Sequence, residues 1–153
     1  MNIGFFGTAF VMGIAAIGSA FGIGIAGQAA IGSWKRCYMN NKAAPFILTV
    51  FAGAPLTQTI YGFLLMGRIN AAVLANIEAV AAGTEPDKSL LYFALGIFSG
   101  LAFAFSAYFQ GKAGAAGSDA LGETGKGFAQ YIMVVGLCET VALFAMAFSF
   151  GMC

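Results

Sequence analysis

Four apolar runs, each long enough to cross a bilayer as a helix, divide this sequence. They extend from about Ile3 to Ile31, Phe46 to Gly67, Leu90 to Phe109 and Phe128 to Met152, and the first is broken only by Thr8, Ser19 and Gln28. A helix needs ~20 apolar residues to cover ~30 Å of hydrocarbon. Lipid admits only helices or closed barrels, and these runs lack the period of two that a barrel strand requires. The pattern predicts an all-α membrane protein of four transmembrane helices arranged as two hairpins, residues 1–78 and 79–153. Composition agrees: 60% of residues are apolar and 8% charged, against about 25% charged in a soluble domain.

The same composition excludes several classes of function. A net charge of +1 offers no basic footprint, so no nucleic-acid partner is expected. With no histidine, and with Cys37, Cys138 and Cys153 lacking C-x-x-C spacing, zinc, haem and a disulfide framework are disfavoured. No nucleophile–base pair or phosphate loop is recognisable, so catalysis and an organic cofactor are not expected in this chain. The apolar N-terminus lacks a positive n-region and reads as a first span rather than a cleaved signal.

Charges collect between the spans. Lys35, Arg36 and Lys42 follow the first, Glu78, Glu85, Asp87 and Lys88 the second, and Asp119, Glu123 and Lys126 the third, with Lys112 just before them. Basic residues mark the cytoplasmic side. The expectation is a multi-pass protein of the cell membrane with loops 33–45 and 118–127 cytoplasmic and both termini outside. Arg68, near the outer end of span two, can snorkel to the interface. The segment from Ile69 to Thr84 either extends the second helix or lies in the outer interface.

The chain also repeats itself. SAFGIGIAGQAA, from Ser19, aligns without gaps to SAYFQGKAGAAG, from Ser106, with six of twelve pairs identical. LTQTIYGF, from Leu56, aligns to LCETVALF, from Leu137, which sets Gln58 opposite Glu139. Two matches in the same order point to a duplicated hairpin. Glycines concentrate in the first helix of each half and include the G-x-x-x-G pairs Gly18/Gly22 and Gly96/Gly100. Small residues let backbones approach closely in lipid. They serve either packing within one four-helix bundle or a tight ring of many copies.

Glu139 is the residue with the sharpest meaning, because it lies near the centre of span four. An ionisable group there costs ~2.5–3.5 kcal/mol on insertion scales and marks ion paths and proton relays; the alternative is a permanently protonated structural carboxyl. Candidate partners are Thr57, Gln58, Thr59 and Tyr61 on span two, Gln110 on span three, and Thr140. Gln58 and Tyr61 share a helix face. Pro55 frees a backbone carbonyl near residue 51. A membrane threonine can instead bond its own helix, as expected for Thr49 and also open for Thr59, and hydropathy alone would place Gln110 at the cytoplasmic interface. One carboxylate among neutral oxygens suits a monovalent hard cation, either sodium or lithium, or a proton. The extra amide and hydroxyl oxygens are useful only to a metal ion.

These residues carry a resemblance. P-L-T-Q-T-I-Y-G-F in span two, S-A-Y-F-Q-G-K in span three and C-E-T in span four, in this order within a Gly-rich duplicated hairpin, resemble the membrane-rotor proteolipid of V/A-type ATPases, the double-hairpin rotor subunit or subunit K, over essentially the whole chain. The resemblance implies a homo-oligomeric rotor ring in the lipid bilayer, with helices one and three inside, turning against a stator membrane subunit and joined to central-stalk subunits, while ATP is hydrolysed in partner subunits. It implies that Glu139 carries one Na+ or H+ per protomer. In the sodium-transporting type the ion is held by Glu139, Thr57, Gln58, Gln110 and the backbone carbonyl of Ala54, with Tyr61 hydrogen-bonded to Glu139 as a gate. The chain departs from the P-G-T-Q-G of many sodium-type relatives at Leu56 and Thr59, which changes packing but removes no ligand. One carboxylate per four helices moves fewer ions per turn, which favours pumping, since each charge costs ~2.3 kcal/mol per 100 mV. The alternatives are a proton-only rotor subunit and a small four-helix cation transporter.

Overall fold

The computed structural model describes residues 2–153, which are helical with no strand among them. Helix α1 covers Gly4–Met39, α2 Leu48–Gly53, α3 Thr57–Ala81, α4 Ser89–Thr124 and α5 Phe128–Met152; a single 3-10 turn, Ala54–Leu56, joins α2 to α3. Four stretches are long and apolar enough to cross a membrane: α1, α2 through α3, α4 and α5. The predicted all-α fold of four spans is observed.

The helices outrun the apolar segments that announced them. Both α1 and α4 have 36 residues, ~54 Å at 1.5 Å per residue, well over the ~30 Å of hydrocarbon. The connections shrink to residues 40–47, 82–88 and 125–127. The expected loops 33–45 and 118–127 are therefore mostly helix. No proline interrupts residues 111–124, and α4 stops only where Gly125 and Gly127 adopt φ of 67° and 90°, a left-handed turn that glycine takes without steric cost. The charged end of α1 is held on α4. Ser33 Oγ donates to the Ser118 carbonyl (3.0 Å), Cys37 Sγ to the Gly122 carbonyl (3.6 Å), and Arg36 pairs with Asp119 and, at 3.8 Å, Glu123.

Residues 69–81 continue α3 as helix rather than lying in the interface, because Ile69, Ala72 and Val73 are buried in a cluster with Tyr92 and Leu95. The hairpin boundary drawn between 78 and 79 thus falls inside α3. Asn76 clasps the connection that follows: its Nδ2 donates to the Pro86 carbonyl (3.0 Å) and its Oδ1 accepts from the Lys88 amide (2.9 Å).

Helices α1 and α4 form the central pair. Gly7 meets Gly96, and Gly22 meets Gly111, with no room for a Cβ on either side of these contacts. By contrast, Gly13, Gly24, Gly27 and Gly32 face open space within 4 Å. Gly13, Gly24 and Gly27 recur within one face of α1 at helical spacing. Both readings of the glycines therefore have residues of their own: one set packs the bundle, the other leaves a smooth outer face.

Candidate ion-binding site

The site lies where α3, α4 and α5 meet. Pro55 cannot donate an amide hydrogen and tightens the chain into the 3-10 turn that precedes α3. The carbonyl expected to be free near residue 51 is that of Phe51, and it lies against Gly114 rather than at the site. The carbonyl that reaches the site is Ala54's. It accepts from Thr57 Oγ1 at 3.0 Å, and Thr57 Oγ1 also approaches Gln58 Oε1 at 3.2 Å. Thr57 has one proton for these two acceptors, so three oxygens converge with fewer hydrogens than they can accept.

Glu139, midway along α5, is half-buried. Tyr61 donates its hydroxyl to Oε1, and Gln110 Nε2 donates to Oε2 at 3.3 Å. Gln110 Nε2 also donates to the Val135 carbonyl at 3.2 Å, and Gln110 Oε1 accepts from Gln58 Nε2 at 2.8 Å. Gln58 and Gln110 are both 0% exposed. Hydropathy would have left Gln110 at the interface, but α4 continues past it and partners satisfy every polar group of its amide. No basic side chain pairs with Glu139 among the described residues, and none of them form a cluster of three or more His, Cys, Asp or Glu. A single carboxylate with amide, hydroxyl and carbonyl oxygens fits a monovalent cation or a proton. A divalent ion would keep an unneutralised charge in a medium that penalises it.

The structure thus brings together Glu139, Gln110, Gln58, Thr57, Tyr61 and Ala54. It leaves Thr140 outside, since that hydroxyl donates to the Leu137 carbonyl on the exposed side of α5, as Thr49 does to Phe46. It adds Ser106, which sequence reasoning missed. Ser106 Oγ donates to the Cys138 carbonyl (2.7 Å) and accepts from Gln58 Nε2 (3.1 Å). The available signal was its position four residues before Gln110, on the same face of one helix. At the repeat-related positions of α1 stand Ser19, buried with no hydrogen-bond partner, and Ile23 in place of Gln110. The first hairpin keeps the serine but has neither the carboxylate nor the second amide.

Comparison with known families then bears on the hairpin that carries Glu139. Residues 93–152 match the family of ATP synthase C subunits. The match spans most of α4 and all of α5, and so includes Ser106, Gln110 and Glu139. The match covers 60 of the 153 residues, and over that stretch the chain is similar to the C subunits of ATP synthases. Members of that family bind the transported ion, H+ or Na+, at a carboxylate and form oligomeric rings with stator and stalk subunits in the lipid membrane. No curated protein matches the chain in sequence comparison.

Proposed function

We propose that the chain is the double-hairpin rotor subunit of a V/A-type ATPase, in which Glu139 carries one sodium ion per protomer through the membrane during ATP-driven rotation. The observation that carries this reading is the oxygen cluster of Ala54, Thr57 and Gln58, linked through Gln110 to a carboxylate that has no basic partner. A proton at Glu139 needs the carboxylate and one acceptor. A half-buried hydroxyl, two buried amides and a carbonyl beside it are the equipment of a metal-ion site.

Facing lipid, Glu139 is loaded or protonated, because a bare carboxylate there is too costly. Facing the stator, water and a positive group make the free carboxylate tolerable, and the ion leaves. The hairpins derive from one duplicated unit, with Gln58 standing where the second hairpin has Glu139. The open glycine face of α1 suits close approach by the next protomer in the ring. Loops 40–47 and 125–127, with the basic helix ends beside them, face the cytoplasm and the central stalk. Glu139→Gln should abolish ATP-driven transport while the ring still assembles; transport that persists in this variant would refute the assignment.

One observation favours a second reading, the proton-only rotor. Every amide hydrogen of Gln58 and Gln110 already has an acceptor within the site. The network closes on itself, and in that reading it is structural.

A further inference from the structure

We infer that Ser106 is a positioning residue that sets the selectivity of this site for sodium over protons, an inference that rests on the sodium reading above. Ser106 lies on α4 and is 6% exposed. Its one proton goes to the Cys138 carbonyl at 2.7 Å, so toward Gln58 it presents only lone pairs. Gln58 answers with Nε2, at 3.1 Å from Ser106 Oγ.

That contact fixes which end of the Gln58 amide faces which way. With Nε2 on Ser106 and Gln110 Oε1, the amide oxygen is directed at Thr57 Oγ1, which also meets the Ala54 carbonyl, and so completes the oxygen cluster. Turned over, the amide would set Oε1 against the lone pairs of Ser106 and against Gln110 Oε1. It would also place an N–H group among the oxygens that a cation needs. Ser106 thus holds the orientation that binds a metal ion. The Glu139 carboxyl itself, where a proton would bind, is held by donors from Tyr61 and Gln110, neither of which is hydrogen-bonded to Ser106. Burial makes the constraint firm, since Gln58 is fully buried and leaving its amide hydrogen bare is penalised there.

The test uses the assembled ATPase in its native membranes, with dicyclohexylcarbodiimide as the probe of Glu139. This reagent attacks a protonated carboxyl, and bound sodium slows it. In Ser106→Ala the sodium concentration that halves labelling should rise about tenfold, the scale of one lost orienting hydrogen bond. The pH profile of labelling without sodium should stay in place, and Ser106→Thr, which keeps the hydroxyl, should restore sodium protection. Ser106→Cys keeps the volume with a poor acceptor and should behave as the alanine variant does, which separates the lost hydrogen bond from a packing defect even where alanine impairs assembly. Unchanged sodium protection in Ser106→Ala and Ser106→Cys would overturn the role of Ser106 while leaving the sodium site intact. A parallel shift of the sodium and pH profiles would also overturn it, because Ser106 would then support the site as a whole. Absence of sodium protection in the unaltered protein would instead overturn the sodium reading itself.

Discussion

Replacing Gln110 by leucine separates what this residue does for the fold from what it does for the ion. Its amide is fully buried, accepts from Gln58 at 2.8 Å, and donates to the Val135 carbonyl at 3.2 Å and to Glu139 at 3.3 Å. For the fold, the substitution forfeits hydrogen bonds of ~1 kcal/mol each and leaves one Gln58 hydrogen unpaired, at ~1–3 kcal/mol. Burying leucine returns ~1.5–3 kcal/mol. The gain offsets only part of the loss, so the ring should assemble with a lowered thermal midpoint. For the site, the lost contact is to a carboxylate, worth ~1.5–3 kcal/mol, and the amide oxygen goes with it. Sodium affinity should fall by a factor of ~10–100. The assay is the sodium concentration that half-protects Glu139 from carbodiimide, read beside ring mass on a detergent gel. Unchanged half-protection with the ring intact would show that Gln110 takes no part in ion binding, and loss of the ring would show that its role is structural.

Two further outcomes follow from the packing and the charges. Gly111→Ala places a methyl well within 3.0 Å of the Gly22 backbone; overpacking of this kind costs ~1–3 kcal/mol, and it forces apart the helices beside Gln110, so both thermal stability and sodium protection should drop, whereas retention of both would refute the close α1–α4 contact. In the 82–88 connection, the Lys88 ammonium 2.8 Å away holds the Glu85 carboxyl below its ordinary value, and the same pair holds Lys88 above its own. A lowered carboxyl stabilises the fold above its unfolded value and stops doing so as pH falls through the folded one. Hydrogen exchange of this connection, corrected for intrinsic rates, should therefore rise in acid below the usual glutamate range, and Glu85→Gln should remove that dependence. A connection equally protected across that range would contradict the pairing.

Much of the fold is legible in the sequence because lipid leaves few choices. Twenty-odd apolar residues must be helix, and a carboxylate in their midst must have partners. Gln58 and Tyr61 could be placed on one face from spacing alone. The ends of the helices were not legible. Hydropathy falls at Gln110, Gly111 and Lys112, yet α4 runs on to Thr124 because Gly114, Gly117 and Ser118 are buried there and Asp119 and Glu123 find Arg36 on α1. Residues 69–81 read ambiguously because their helix is stabilised by tertiary contacts to Tyr92 and Leu95, far along the chain. Ser106 escaped notice because a serine in an apolar helix usually bonds its own backbone, and only the approach of α3 and α5 gives it Gln58 and the Cys138 carbonyl. The two sets of glycines, one packed and one open, cannot be told apart by counting.

The most direct test of the central claim is carbodiimide labelling of Glu139 in the unaltered protein across pH, with and without sodium. If sodium and protons compete for one carboxylate, millimolar sodium slows labelling near neutral pH and the protection fades as pH falls. Labelling that ignores sodium at every pH would contradict the account, and would make Thr57, Gln58 and Gln110 the scaffold of a proton site.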